Sequence, residues 1–296
     1  MKQLSVLKII FSFIAASFLF LCFNPAHALV NVIAAENVYG NIAQELGGPY
    51  VNVTSILNSP SSDPHLFSTR PSTARAINNA DIIIYNGADY DPWITPLLAI
   101  AGSQKRTIIN IASLLNIKPG ANPHLWYLPE TMPTFAKFFV ATLSQMDPLH
   151  QSYYQNQLKK FNAQYQIIFK MITQLKKHFQ NIAIIATEPI FGYMAKSIGL
   201  QMHAEAFQIN MMNDVPPTVS QIQQFTDDLQ QHQVKVLIYN NQVINPLTQH
   251  LRDLAVAENI PVVGISEMMP NKLTYIQWMQ DQLQALEIAL EKGTNK

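Results

Sequence analysis

One segment, Leu149–Phe179, sets the architecture, and it reads LHQSYYQNQLKKFNAQYQIIFKMITQLKKHF without a glycine or a proline. Its apolar residues recur at alternating steps of four and three, which places them in one stripe along an α-helix. The members of the stripe are Tyr154, Leu158, Phe161, Tyr165, Ile168, Ile172, Leu175 and Phe179. The lysines that avoid the stripe and are expected to face water are Lys159, Lys160, Lys170, Lys176 and Lys177. At about 1.5 Å per residue, such a helix would be roughly 45 Å long and could cross a whole domain.

The start of this helix also has a sequence signature. Asp147 and Pro148 occupy the positions that an N-cap residue and a first-turn proline favour. The segment is either one more helix of an α/β layer or a rigid strut between two lobes. The similar patterns on its two sides favour the strut.

The first 28 residues have the layout of a secretory signal peptide. Lys2 and Lys8 precede an apolar run, Ile9–Phe23, and an Ala-x-Ala cleavage site ends at Ala28. The run is short for a membrane span, so we predict cleavage after Ala28 and export to the periplasm. The only cysteine, Cys22, follows a leucine rather than the small residue that lipid attachment requires. Cys22 is therefore removed with the signal peptide. The mature chain then has no thiol and no disulfide, so its hydrophobic cores must stabilise the fold.

The charge balance argues against two classes of partner. The 296 residues carry 19 Lys and Arg against 19 Asp and Glu, and the mature chain would carry 17 against 19. A nearly neutral chain argues against a nucleic-acid partner or an anionic membrane surface. Its length suits two modest domains or one large one.

Both sides of the strut alternate strand-like and helix-like segments. We predict strands at Val30–Ala34, Tyr50–Leu57, Asp81–Tyr85, Thr107–Ile111, Ile182–Ala186, Gln201–Phe207, Val234–Tyr239 and Pro261–Ile265. We predict further helices at Val38–Leu46, Ser72–Asn79, Pro92–Ala101, Thr131–Met146, Phe191–Ile198, Thr218–His232, Pro246–Glu258 and Lys272–Leu290. Strands rich in Ile and Val, each followed by a helix, predict parallel sheets covered on both faces. The predicted fold class is α/β, with two lobes, each a four-stranded parallel sheet flanked by helices, joined by one long helix. The predicted divisions are a signal peptide at 1–28, an N-terminal lobe at 29–146, the linking helix at 147–180 and a C-terminal lobe at 181–296.

Chemistry-bearing residues follow strands in both lobes. In open α/β sheets, ligands bind beyond the carboxyl ends of the strands. The segments at these places are Ser62-Asp63-Pro64-His65, Asn122-Pro123-His124-Leu125-Trp126, Thr187-Glu188-Pro189 and Ser266-Glu267. Taken singly, a loop histidine is more often solvated, and a strand-end glutamate is more often a cap or a surface charge. Their joint placement makes four of these residues candidate metal ligands: His65, His124, Glu188 and Glu267.

The order and spacing of these motifs resemble one family, the solute-binding proteins of zinc and manganese ABC transporters. The matching motifs are Asp63-Pro64-His65-Leu66-Phe67, Arg70-Pro71-Ser72, Asn86-Gly87, Asn122-Pro123-His124-Leu125-Trp126, Phe191-Gly192-Tyr193 and Gly199-Leu200. Each motif alone is common, but the ordered set is specific, and it covers essentially the whole mature chain. The resemblance implies two α/β lobes joined by a long backbone helix, with the metal between them.

The resemblance also implies which residues bind the metal. The histidines of its two Pro-His motifs correspond to His65 and His124. The third ligand is commonly a histidine five residues before the tyrosine of Phe-Gly-Tyr, and here that position holds Glu188, as in some manganese-type members. The fourth is an acidic residue after the last strand, where this chain has Glu267 instead of the more usual Asp. The His-rich loop of many zinc-type members has no counterpart, since Asn116–Asn122 is short and lacks histidine.

Two imidazoles and two carboxylates suit a divalent first-row ion. The carboxylate of Glu188 favours manganese or ferrous iron without excluding zinc, and the general affinity order still places zinc above manganese. The two carboxylates would neutralise a divalent ion in a buried site. In an empty site they would repel each other, so we expect a looser interface between the lobes in the metal-free protein.

The resemblance implies a periplasmic receptor, not an enzyme, that captures manganese or zinc and delivers it to an ABC-transporter permease, with a monomer as the expected state. Two other functions stay open. A secreted zinc-dependent hydrolase would use three of the candidates as ligands and Glu267 as general base, although no His-Glu-x-x-His motif is present. A binder of a small organic solute would use aromatic residues, but those near the motifs are more typical of core or wall positions. They are Tyr90, Trp93, Trp126 and Tyr193.

Overall fold

The computed structural model describes residues 29–58, 67, 69–101, 106–243 and 245–295. The predicted signal peptide at 1–28 and the candidate ligand His65 lie outside these described residues. Within the described ranges, every helix is too short or too polar to span a bilayer.

Two four-stranded parallel sheets form the centres of the two halves. The first sheet contains β1 (Val30–Glu36), β2 (Val51–Leu57), β3 (Ile82–Tyr85) and β4 (Thr107–Asn110), in the order β2-β1-β3-β4. The second contains β5 (Ala183–Ala186), β6 (Gln201–His203), β7 (Leu237–Asn240) and β8 (Val262–Ile265), in the order β6-β5-β7-β8. Each sheet has a topological switch point, between β1 and β3 and between β5 and β7. The crevice beyond such a point is where open α/β sheets bind their ligands.

Helices connect the strands and flank the sheets. Those of the first half are α1 (Asn37–Gly47), α2 (Pro71–Asn78), α3 (Ile94–Ile100), α4 (Ile111–Leu114) and α5 (Thr131–Met146). The long helix α6 (Gln151–Phe179) follows, and the later ones are α7 (Gly192–Ile198), α8 (Glu205–Met212), α9 (Val219–Gln230), α10 (Pro246–Ala257) and α11 (Tyr275–Thr294). The predicted fold class, two parallel α/β units with one long helix, is confirmed.

The predicted strand Gln201–Phe207 is wrong beyond His203. Ala204 takes a left-handed conformation, with φ of 55°, and the chain then enters α8. Phe207 lies on this helix and is buried against Phe225, with ring centroids 4.7 Å apart. A buried aromatic residue close to a short strand fits either element, so the apolar pattern alone did not separate them.

The stripe of the long helix is buried as predicted, except that Leu158 is only half-buried. The five lysines are exposed. Helix α6 packs against α1 and α5 from the first half and against α7 and α11 from the second. Its start differs from the prediction, because Asp147 does not cap it: a 3-10 turn, Pro148–His150, comes first. The carboxylate of Asp147 instead accepts hydrogen bonds from His150 Nδ1 and the Tyr154 hydroxyl, both at 2.6 Å.

Candidate metal centre

Three polar residues of the second half converge at the carboxyl edge of their sheet. Glu188 lies just after β5, Asn240 ends β7, and Glu267 lies just after β8. Because β7 lies between β5 and β8, the three side chains meet at one edge. All three are buried, with exposed fractions of 4%, 1% and 2%. Burial of two acidic groups side by side requires compensation from hydrogen bonds or from a cation.

The side-chain amide of Asn240 supplies part of that compensation. Its Nδ2 donates to Oε2 of Glu188 over 2.8 Å and to Oε1 of Glu267 over 2.6 Å. Its Oδ1 accepts the backbone N–H of Gln242 at 3.0 Å, which fixes the orientation of the amide. The repulsion that we expected between the two carboxylates is therefore offset in part by a shared donor. Sequence reasoning missed Asn240, although its position directly after a buried apolar strand was a usable signal.

His124 reaches the same place from the first half and is fully buried. Its Nδ1 lies 2.7 Å from Oδ1 of Asn122, whose Nδ2 donates to the Pro189 carbonyl over 2.6 Å. Since that carbonyl can only accept, the amide presents its oxygen to the imidazole, and Nδ1 carries the proton. In this tautomer Nε2 carries no proton, so it is the ring nitrogen whose lone pair could ligate a metal ion. Nε2 lies 3.9 Å from Oε1 of Glu267.

Tyr90 is a further contact between the two halves at this site. Its hydroxyl donates to Oε2 of Glu267 over 3.0 Å. Burial raises the pKa of Tyr90 well above its usual range, and the nearby charge of Glu267 raises it further, so the hydroxyl keeps its proton. The Tyr90 ring packs edge-on against Trp126, with centroids 4.9 Å apart. Both rings are buried, in agreement with their predicted core or wall positions.

The structure thus brings His124, Glu188 and Glu267 into one buried cluster with Asn240 and Tyr90. Among the residues that the structure describes, no three His, Cys, Asp or Glu side chains form a group that could hold a metal ion by themselves. The fourth candidate, His65, lies outside the described ranges. His124, Glu188 and Glu267 therefore do not form a complete metal site by themselves in the described part of the chain.

Comparisons with known proteins fit this arrangement. The family model of ZnuA, the periplasmic component A of the zinc-uptake complex, matches residues 32–289. The high-affinity zinc uptake system protein ZnuA of Bacillus subtilis (strain 168) is 23% identical over 255 residues, covering 78% of this chain and 79% of that protein. The manganese ABC transporter substrate-binding lipoprotein PsaA of Streptococcus pneumoniae serotype 4 is 24% identical over 285 residues, covering 88% of each. The solved structure of the periplasmic zinc binding protein TroA from Treponema pallidum superimposes with a TM-score of 0.75 at 14% identity, covering 89% of this chain and 99% of that one. None of these three is named as a hydrolase, so the hydrolase alternative gains no support from them.

Proposed function

Since this chain belongs to the ZnuA family of periplasmic zinc-uptake components, we propose that it is an extracytoplasmic solute-binding protein that captures a divalent transition metal. It delivers manganese or zinc to the permease of an ABC transporter. One relative is named for zinc uptake and another for manganese transport, which supports this metal class. The observation that carries the proposal is the buried convergence of His124, Glu188 and Glu267 between the two halves.

The proposed ligands are His65, His124, Glu188 and Glu267. Two carboxylates and two neutral imidazoles balance the charge of a divalent ion, so the loaded site is neutral and compatible with burial. A carboxylate offers about four lone-pair positions. The hydrogen bonds from Asn240 and Tyr90 can therefore persist when the ion binds, and they then orient the ligands from outside.

The ligand types support manganese and zinc to different degrees. Carboxylate oxygen suits manganese, whereas imidazole suits zinc, and the general affinity order still favours zinc. The metal carried in the cell then depends on supply as well as on affinity. Glu188, which stands where histidine is common in the family, is the residue that moves this balance towards manganese.

The test uses the full chain expressed with export to a bacterial periplasm. Elemental analysis of the purified protein should find one manganese, zinc or iron ion per chain, and competition between Mn²⁺ and Zn²⁺ then ranks the two. If the purified protein contains no metal and binds neither ion on titration, the proposal is refuted. Mass spectrometry of the same sample tests export, with cleavage after Ala28 as the expected result. Light scattering tests whether the protein is a monomer in solution, as expected.

A further inference from the structure

Asn122 lies where the two halves meet, two positions before the proposed ligand His124. Its Oδ1 lies 2.7 Å from Nδ1 of His124 and also accepts the backbone N–H of His124 at 3.1 Å. One oxygen therefore holds both the ring and the backbone of a proposed ligand. A hydrogen bond to Nδ1 restricts the rotation of the imidazole, so it also fixes the direction in which Nε2 points.

The nitrogen of the same amide contacts the second half. Its Nδ2 donates to the Pro189 carbonyl over 2.6 Å, and Pro189 directly follows the proposed ligand Glu188. That carbonyl also accepts the backbone N–H of Gly192, the first residue of α7, so its place is set by the turn that leads into this helix. A single side chain thus joins a proposed ligand of the first half to the residue beside a proposed ligand of the second.

The residues around this amide are shaped to receive it. The Tyr193 hydroxyl donates to the backbone carbonyl of Asn122 over 2.8 Å. A Cβ atom at Gly192 would lie 3.2 Å from Nδ2 of Asn122, closer than such atoms normally pack. Since φ of Gly192 is −56°, which is helical and open to any residue, the backbone does not require glycine there. The missing side chain instead leaves room for the amide to reach the Pro189 carbonyl.

We propose that Asn122 is a positioning residue that couples the two halves of the metal centre: it orients His124 and ties it to the segment Glu188–Pro189. The inference rests on the proposed function, since it concerns how the site holds a metal. The two contacts need an amide, because its oxygen accepts from the imidazole while its nitrogen donates to the carbonyl. A carboxylate of the same shape can only accept.

This difference separates coupling of the halves from simple orientation of the histidine. If Asn122 only oriented the imidazole, Asn122→Asp should bind metal as tightly as the wild type or more tightly, because a carboxylate partner raises the basicity of a histidine ligand. If Asn122 also couples the halves, Asn122→Asp should bind metal more weakly. Two acceptor oxygens would then face each other where the structure has a 2.6 Å hydrogen bond.

The test titrates the full-length wild type, Asn122→Ala and Asn122→Asp with Mn²⁺ at pH 7.5, where proton competition for imidazole is small. Co²⁺ serves as a spectroscopic probe of ligand geometry. Both variants should bind Mn²⁺ about ten- to a hundredfold more weakly, the usual effect of losing an outer partner of a metal ligand, and both should have altered Co²⁺ absorption spectra. The controls are Asn162→Ala and Asn162→Asp, at an exposed position of α6, which should behave as the wild type.

Gly192→Ala tests the same contact without changing Asn122 or any proposed ligand. Alanine suits helical backbone better than glycine, so the variant should fold, but its methyl group should push the amide away from the Pro189 carbonyl. Mn²⁺ binding should weaken and the Co²⁺ spectrum should change, while circular dichroism of the metal-free protein stays the same. If the Asn122 variants do not fold, this variant decides, and an unchanged metal site in it contradicts the proposal.

Two further results would overturn the proposal. Wild-type affinity and spectrum in Asn122→Ala would show that Asn122 positions nothing, and undiminished affinity in Asn122→Asp would show that it does not couple the halves. A wild-type protein that binds neither ion refutes the proposed function as well. Metal binding that stays at the wild-type level in every variant refutes this inference alone.

Discussion

The side-chain amide of Asn240 donates a hydrogen bond to Oε1 of Glu267 over 2.6 Å, from the adjacent strand of the second sheet. Its amide nitrogen also serves Glu188, at 2.8 Å. One neutral group therefore offsets part of the repulsion between the two carboxylates, which is also what a cation at the proposed site would do. The amide and the metal should then substitute for each other in stabilising this edge of the sheet.

The first prediction follows from that substitution. Asn240→Ala should lower the free energy of unfolding of the metal-free protein by about 1–3 kcal/mol, because two buried carboxylates lose a donor. Saturating Mn²⁺ should recover part of the loss, since the ion neutralises the same groups. Urea unfolding with a chelator and with Mn²⁺ measures both effects. Asn241→Ala, an exposed neighbour, is the control. An equal loss with and without metal would show that Asn240 acts independently of the site.

The second prediction concerns the histidine ligands. His65→Ala and His124→Ala should each lower metal affinity by orders of magnitude, because each removes one of the four proposed metal ligands, and neither should unfold the lobes. Protons compete with the metal for imidazole below roughly pH 6, so wild-type affinity should fall there. Isothermal titration at several pH values checks both statements. His178→Ala, at an exposed position near the end of α6, is the matched control. Undiminished metal affinity in both histidine variants would rule out the proposed site.

The third prediction concerns metal choice. Glu188→His replaces a carboxylate oxygen by an imidazole nitrogen, so the ratio of zinc to manganese affinity should shift towards zinc. Competition titrations of the wild type and the variant measure this ratio directly. Glu188→Gln is the control, since it removes the charge without adding an imidazole. A ratio that stays the same in Glu188→His would place residue 188 outside the ligand set.

The gross architecture could be read from the sequence because its signals are local. The run Ile82–Tyr85 is almost wholly aliphatic, as a strand buried on both faces must be. The stripe on α6 needs only the helical period. The convergence of Glu188 and Glu267 could also be expected, because parallel strands end at a common edge.

The contacts that refine the site could not be read in the same way. Asn240 is an ordinary amide at a strand end, and only the neighbouring strands show that it bridges two acids. Glu36 directly precedes α1, where an acidic residue is expected to be a cap or a surface charge. Asp91, whose charge adds to the effect of burial in raising the pKa of Glu36, is 55 positions away in the sequence, and no local pattern reports that the two are buried near each other.

The fourth prediction concerns pH and the metal-free protein. The folded state raises the pKa of Glu36 from its ordinary value of 4.5, so folding retains a proton that the unfolded chain loses. The resulting stability is fully present below about pH 4.5 and is lost as the pH rises towards the raised value, with a limiting slope of about 1.4 kcal/mol per pH unit for one proton. Asp91, with its pKa raised from 3.8 to about 6, contributes in the same direction. Burial, and the nearby charges of Glu36 and Asp91, raise the pKa values of Tyr39 and Tyr90 well above 10, so these two groups do not titrate in this window.

Glu36→Gln should therefore flatten the fall in stability between about pH 5 and 7, because it removes the retained proton. Denaturant unfolding in a chelator, compared with the wild type and with Glu291→Gln at an exposed position of α11, measures the slope. Identical slopes in the wild type and Glu36→Gln would show that Glu36 holds no extra proton in the folded state.

The last prediction concerns motion. Helix α6 packs against helices of both halves, and hydrogen bonds join the halves directly. Tyr127 donates to the Ser266 carbonyl, and Tyr275 donates to the Trp126 carbonyl, both over 2.6 Å. A wide hinge would break these contacts, so metal binding should order the ligand loops with only a small rigid-body movement.

Small-angle scattering of the metal-free and loaded forms tests this expectation, and the two radii of gyration should agree closely. Thermal melts of the same samples should still show binding, since an ion that binds only the folded site stabilises it by about 2.7 kcal/mol at a hundredfold excess over the dissociation constant. The two measurements separate stabilisation from closure. A large drop in radius on loading would mean that the halves move apart without metal, and that α6 bends or detaches to allow it.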